Sequence, residues 1–100
     1  MKNQISSPRG EAIGWTFLTN HTHILVVLAR HSSIRIRDLA DEVGITERAV
    51  QRILAELTRA GFVEVQKEGR RNSYSVCRDA RLRHPLESQH SIGELLDLFN

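Results

Sequence analysis

Apolar and polar positions divide the chain into helix-like segments followed by strand-like ones. Residues 15–29 carry two apolar clusters, and Thr19 and Asn20 between them are suited to begin a helix that closes near His31. The β-branched residues of this stretch also leave a strand possible. The alternation over residues 34–36 predicts a short strand after it.

Two short amphipathic helices follow, joined by a glycine turn. The first is predicted over residues 37–43, and Gly44 ends it because a left-handed residue there favours glycine. Thr46 is a suitable cap for the second helix, residues 47–60, and Gly61 closes that helix in the same way. The inward positions of the first helix are Leu39, Ala40 and Val43.

Between residues 62 and 77 the apolar residues recur at every second position, which predicts a β-hairpin. Val63 and Val65 alternate with polar residues in the first strand, and Tyr74 and Val76 do so in the second. The predicted turn, over residues 68–72, is longer than the tightest hairpin turns. Residues 78–90 form a basic, polar connection. Ser91 is suited to cap a last helix, although Gly93 weakens its first turn, and one face of this helix carries Ile92, Leu95, Leu96 and Phe99.

Composition and charge narrow the class of protein. The 100 residues are 40% apolar, which suits one compact domain with a small core. The net charge of +2 divides into +2 over residues 1–34, +3 over residues 35–83 and −3 over residues 84–100, so the middle of the chain is a candidate surface for a polyanion. The sequence predicts no membrane span and no secretory signal, and Cys77, the single cysteine, fits a reducing, cytoplasmic location.

The spacing of small and apolar residues in the middle of the chain resembles a helix-turn-helix. Ala40 suits the crossing of two helices, Gly44 the turn four residues later, and Val50 the second helix six residues after that. With the hairpin included, residues 15–77 resemble the winged helix-turn-helix of bacterial transcription regulators of MarR-like or ArsR-like type. The segments that carry this resemblance are 45–54 (the recognition helix), 57–63 (its exit into the first strand) and 68–74 (the wing tip).

The resemblance implies a fold, a domain organisation and a function. The expected fold is α+β and mostly α, with a three-helix core, a β-hairpin wing and a C-terminal helix. Residues 1–14 would be a flexible arm, 15–83 the DNA-binding domain, and 84–100 a linker and helix for dimerisation. The implied function is sequence-directed binding of double-stranded DNA by a prokaryotic type of transcription regulator. The chain departs from MarR-like proteins in its short length, and from many ArsR-like sensors in lacking a cysteine metal motif.

The outward face of the second helix of the motif carries the candidate base readers. At 100° per residue, Arg48 and Arg52 lie opposite the core stripe and Gln51 flanks them. In the major groove an arginine can bridge guanine O6 and N7, and a glutamine can pair with adenine. The remaining DNA-binding candidates are Thr46 and Glu47, which also suit capping and the first turn, the wing residues Arg70, Arg71 and Asn72, and Arg35 and Lys67 as phosphate contacts.

Other chemistries have less support in the sequence. A symmetric dimer is expected, with Trp15, Phe17, Leu18, Ile92, Leu95, Leu96 and Phe99 as the interface. No catalytic motif, cofactor motif or metal-binding spacing is present, so we expect neither an enzyme nor a cofactor, while an effector ligand and a redox role for Cys77 stay open. The main alternative is a winged helix that binds another protein and not DNA. An RNA-binding module is a further alternative.

Overall fold

The computed structural model describes residues 14–100, so the predicted arm over residues 1–14 lies, except for its last residue, outside the described part of the chain. Within residues 14–100, four helices and one antiparallel hairpin make up the fold, which confirms the predicted mostly helical winged helix. The elements are α1 (Asn20–Arg30), α2 (Ile36–Val43), α3 (Glu47–Arg59), β1 (Val63–Glu68), β2 (Arg71–Val76) and α4 (Ile92–Asp97).

Helix α1 forms the centre of the core. Thr19 occupies its N-cap position without a side-chain cap hydrogen bond, and the helix buries one face, formed by Ile24, Leu25, Val27 and Leu28. The helical interpretation of this stretch is therefore confirmed, since eleven residues with this spacing place four apolar side chains against the other helices. Trp15 and Phe17 precede the helix and are exposed.

The short strand predicted over residues 34–36 is wrong. Arg35 is extended, but it is the N-cap of α2, and Ile36 is already the first residue of that helix. Ile34 and Ile36 both pack against the core from a loop and a helix start, so their alternation reflects burial without strand pairing. This loop is joined to the hairpin by a backbone hydrogen bond from the amide of Tyr74 to the carbonyl of Ser32, at 2.9 Å.

The turn between α2 and α3 follows the predicted chemistry. Gly44 has a φ of 87°, and its amide donates to the carbonyl of Ala40 at 2.8 Å. Thr46 caps α3 by accepting a hydrogen bond from the amide of Ala49 at 3.0 Å. Ala40 is buried where α2 meets the core. These contacts fix the direction in which α3 leaves the turn.

Helix α3 separates a core stripe from an outward stripe. Val50, Ile53, Leu54 and Leu57 are buried. Arg48, Gln51, Arg52, Ala55 and Arg59 are exposed on the other side. Because these two sets diverge by the helical repeat alone, packing the apolar stripe on α1 and α2 necessarily turns the arginines to solvent.

The hairpin turn is tighter than predicted. Glu68 pairs with Arg71, so only Gly69 and Arg70 connect the strands. Gly69 has a φ of 66° and Arg70 has a negative φ, the sign pattern of a type II′ turn. The sequence-based interpretation missed this because it assigned Glu68, Arg71 and Asn72 to the loop. In the ladder Val63 and Tyr74 are buried, whereas Val65 is exposed.

Helix α4 packs on the core through Ile92 and Leu96, begins with a capping box, and is tied to the preceding segment by Arg78. The hydroxyl of Ser91 accepts from the amide of Glu94, and the carboxylate of Glu94 accepts from the amide of Ser91 at 2.7 Å. Arg78 donates to the carboxylate of Asp97 at 2.8 Å and to the carbonyl of Gly93 at 3.2 Å. A Cβ at Gly93 would lie 3.1 Å from the Arg78 guanidinium, so glycine at this position makes room for that side chain.

Candidate nucleic-acid interface

The exposed side chains of α3 form the first part of the candidate interface. Arg48 and Gln51 make no hydrogen bond or ion pair within residues 14–100, and Arg52 makes one, from Nη1 to Oε2 of Glu56 at 3.3 Å. The pair joins residues one helical turn apart, and the Arg52 side chain is 61% exposed, so its guanidinium remains accessible. Three side chains with base-reading chemistry are therefore available on one helix.

The start of α3 contributes two further candidates. Thr46 uses its hydroxyl oxygen to accept from Ala49, which leaves the hydroxyl proton free to donate to a phosphate. Glu47 is exposed in the first turn, where its negative charge interacts favourably with the positive end of the helix dipole. The capping role of Thr46 is thus shown by geometry, and a phosphate contact is compatible with it.

The hairpin and the loop before α2 place the other basic candidates. Arg70 lies in the two-residue turn, and Arg71 donates from Nη2 to the carbonyl of Ser33 at 2.8 Å. Lys67 is opposite Asn72 in the ladder, and both are exposed. Arg35 and Asp38 form an exposed ion pair at 4.0 Å. The Asn72 side chain donates to the hydroxyl oxygen of Tyr74 at 3.4 Å.

Two cavities flank the wing on its α2 and α3 side. One, of about 500 Å³, separates α3 from the hairpin and is lined by Gln51, Arg59 and Asn72 among others. The other, of about 280 Å³, is lined by Arg35, Arg70 and Arg71. Asn72 and Tyr74 line both, so the two cavities are neighbours. Among the described residues, neither cavity is lined by an acidic side chain, whereas Arg59 lines one of them and three arginines line the other.

The opposite flank of α3 faces α1 and carries acid. Nε2 of His21 and Oε1 of Glu56 lie 2.7 Å apart, and a cavity of about 490 Å³ beside them is also lined by Arg83 and Glu87. The hydrogen bond from His21 is the largest effect on the Glu56 carboxyl and holds its pKa below the ordinary value. Desolvation opposes this effect, and the charge of Arg52 adds a smaller lowering effect. Sequence reasoning missed Glu56. Its spacing of four from Arg52 could have suggested that pair, but no local pattern points to His21, 35 positions away.

The candidate dimer residues fall into two groups. Trp15 and Phe17 are 71% and 92% exposed, and their rings meet edge to face with centroids 5.0 Å apart. Phe99 is 39% exposed, while Leu18 and Leu95 are half-buried. Ile92 and Leu96, at 4% and 0% exposure, lie in the core of the single chain. The apolar surface of Ile92 and Leu96 is already buried within the single chain, so the proposed interface does not include these two residues.

The histidines and the cysteine have ordinary surroundings. Within residues 14–100 no three His, Cys, Asp or Glu side chains lie close enough together to hold a metal ion. His23 is hydrogen-bonded to Asn20 at 2.9 Å, and His90 lies 3.6 Å from Glu94. Cys77 is half-buried, and desolvation, followed by the charge of Glu64, raises the pKa of its thiol. A raised pKa disfavours the thiolate, the form that reacts with oxidants.

A family comparison matches this arrangement of helices and wing. The model of the MarR family matches residues 15–71, from the segment before α1 to the first residue of β2. The chain belongs to the MarR family. Members of the MarR family are regulators and not enzymes, and the family indicates DNA as the partner. No curated protein and no solved structure matches the chain. Within the part of this MarR chain that the structure describes, no helix is long and apolar enough to cross a membrane.

Proposed function

We propose that this MarR family chain binds double-stranded DNA in a sequence-specific manner and regulates transcription as a cytoplasmic protein of a prokaryotic type. The observation that carries the proposal is the placement of exposed arginines on the outward face of α3 and around the two wing cavities, neither of which is lined by an acidic side chain of the described residues. Arginines from α3, the wing and the loop before α2 line this surface, although the whole chain has a net charge of only +2. A small total charge concentrated on one shaped face favours selective binding over general binding to polyanions.

In the proposed complex α3 lies in the major groove. Arg48, Gln51 and Arg52 read base edges, because guanidinium and amide groups match guanine and adenine there. Thr46 donates to a phosphate from the start of the helix, where the backbone amides also favour an anion. Glu47 faces the groove from the same turn and is positioned to accept from a cytosine amino group.

The wing supplies contacts to the DNA backbone or the minor groove. Arg70 at the tip and Arg71 beside it carry the charge, and Asn72 adds an amide donor. Arg35 lies at the same cavity as the two wing arginines, so it is expected to contact the same stretch of backbone. Lys67 is a peripheral phosphate contact, since it lines neither cavity.

A second copy of the chain completes the proposed DNA-binding unit. One winged helix covers a short site, whereas a symmetric dimer would place two recognition helices about 34–36 Å apart on one face of the duplex. The proposed interface uses Trp15, Phe17 and Phe99 with the half-buried Leu18 and Leu95. Two exposed aromatic rings in contact form a large apolar surface that a second copy would cover.

Selection from a randomised library of DNA duplexes tests the proposal. The native protein should enrich one set of related DNA sequences. In Arg52→Ala, the ratio of the affinities for the preferred and a changed base pair should fall at one position, by roughly 5- to 150-fold for a lost bidentate contact. If the native protein enriches no sequence, the proposed function is wrong. That outcome would favour the alternative of a winged helix that binds protein.

A further inference from the structure

We propose that Glu56 is a positioning residue that orients the guanidinium of Arg52 toward a base and away from the DNA backbone, with His21 as its anchor. The proposal rests on the proposed function, because it assigns a role within the same DNA-binding surface. It concerns a residue that touches no DNA itself. The observation behind it is that one carboxylate connects the recognition helix to both Arg52 and α1.

Each oxygen of the Glu56 carboxylate has a separate partner. Oε1 lies 2.7 Å from Nε2 of His21, and Oε2 lies 3.3 Å from Nη1 of Arg52. Since an ionised carboxylate has no proton, Nε2 of His21 must donate in the first of these bonds. An isolated i,i+4 pair on a helix surface is mobile, but here the acid is fixed on its other side by a residue of a different helix.

The position of Glu56 on α3 determines which way it draws Arg52. At 100° per residue Glu56 is offset by 40° from Arg52, on the flank that faces α1. Gln51 lies on the other flank, where it lines the cavity toward the wing. The outward stripe is therefore bordered by an acid on one side and by the wing on the other, and Arg52 is held toward the acid.

Holding Arg52 in this way affects selectivity through two physical effects. An arginine loses conformational freedom when it binds, so a guanidinium that is already oriented loses less. A negative charge next to Arg52 also disfavours close approach of a phosphate, while the uncharged edge of guanine is not repelled. Both effects favour contact with a base over contact with the backbone.

The charges around Glu56 agree with this assignment. The cavity between α1, α3 and the 83–87 segment is also lined by Arg83 and Glu87, one of each sign, and neither is hydrogen-bonded to the Glu56 carboxylate. The lowered pKa of Glu56 has its largest cause in the bond from His21 and its next favourable cause in Arg52. Glu56 is accordingly an anion at neutral pH, as the positioning role requires.

The test compares Glu56→Gln with a matched control, Glu87→Gln. Both variants remove one negative charge beside the same cavity, but only Glu56 contacts Arg52. Each variant is titrated with the duplex that the native protein selects from a randomised library and with duplexes changed at one base pair. The ratio of two affinities measured on one sample does not depend on the fraction of protein that is folded, so a loss of stability cannot imitate the result.

We expect Glu56→Gln to lower the preference at one base pair about threefold or more and to steepen the salt dependence by up to one phosphate equivalent, about 0.9 in slope. Glu87→Gln should change neither. In an Arg52→Ala background, Glu56→Gln should cause no further loss of base preference. His21→Ala, which removes the anchor and keeps the acid, should lower the preference at the same base pair by a smaller factor.

Two outcomes would overturn the positioning role. One is an unchanged base preference in Glu56→Gln. The other is a loss that persists in the Arg52→Ala background, because Glu56 would then act without Arg52. A native protein that selects no sequence at all would instead overturn the proposed function, and the positioning role with it.

Discussion

Arg71 in the wing donates a hydrogen bond from Nη2 to the backbone carbonyl of Ser33, across a distance of 2.8 Å. A second bond, from the amide of Tyr74 to the carbonyl of Ser32, joins the same two segments. The hairpin is thereby attached to the loop that precedes α2, and its position relative to α3 is defined. Arg70, next to Arg71, makes no such bond within residues 14–100 and is free to bind a ligand.

Replacing Arg70 is expected to affect DNA binding alone. Arg70→Ala should weaken binding to all duplex sequences about equally and reduce the slope of log K against log salt by about 0.9, because one phosphate contact is lost. Amide hydrogen exchange in β1 and β2 should stay at the native rate. A change of preference at a single base pair would contradict a backbone role for Arg70.

Replacing Arg71 is expected to affect the wing as well. Arg71→Ala should weaken binding and also raise amide exchange in β1 and β2, because one of the two links to the loop before α2 is removed. Arg70→Ala serves as its matched control. Unchanged exchange in Arg71→Ala would show that the Ser33 bond does not hold the hairpin in place.

Arg48 is predicted to lower stability while it contributes to binding. It lies in the first turn of α3, where the helix dipole disfavours a cation, so Arg48→Ala should raise the free energy of unfolding by roughly 0.3–1 kcal/mol while it weakens DNA binding. Arg59→Ala is the control, since Arg59 lies in the last turn of the same helix and its removal should lower stability. Urea unfolding and duplex titration measure the two effects. A parallel loss of stability and binding in Arg48→Ala would contradict this account.

The sequence predicted the helix-turn-helix well because its determinants are local. Gly44, Thr46 and the apolar spacing of α3 each act within a few residues, and all of them appear in the structure as expected. The errors arose where distant contacts decide the outcome. Ile36 enters a helix and packs on the core. The sequence also did not indicate that Ile92 and Leu96 are buried within the single chain, where α4 contacts α1. The bond between His21 and Glu56 joins residues that no periodicity connects.

The capping box of α4 gives a prediction for acid stability. The backbone amide of Ser91, followed by a weaker effect of His90, holds the pKa of the Glu94 carboxyl below its usual value of 4.5. Because the pKa is lower in the folded chain than in the unfolded chain, Glu94 stabilises the fold fully above about pH 4.5, and this contribution disappears as the pH falls further. The native chain should therefore exceed Glu94→Gln in stability at about pH 6, and the difference should shrink at about pH 3.

Urea unfolding of both chains at the two pH values is the measurement, and Ser91→Ala extends it. Removing the Ser91 hydroxyl should cost about 1 kcal/mol at either pH, since the cap bond to the amide of Glu94 does not depend on ionisation. A difference between the native chain and Glu94→Gln that grows as the pH falls would contradict the assignment.

The proposed dimer can be tested without disturbing the core. We expect the native chain to sediment as a dimer and the double variant Trp15→Ser, Phe17→Ser as a monomer, because both rings are exposed in the single chain and available to the proposed interface. Leu86→Ser is the control, since Leu86 is equally exposed but lies in the connection before α4. Truncation before Ser91 would be a poor test, because it removes Leu96 from the core. A dimer that survives the double substitution would place the interface elsewhere.

The salt dependence of binding to duplex DNA tests the central claim most directly. If the surface of α3 and the wing neutralises phosphates, log K for a random duplex should fall linearly with log salt, by about 0.9 for each phosphate contacted. Combined replacement of Arg48, Arg70 and Arg71 by alanine should flatten this slope. A native protein whose binding does not change with salt, or which does not bind duplex DNA at all, would contradict the account.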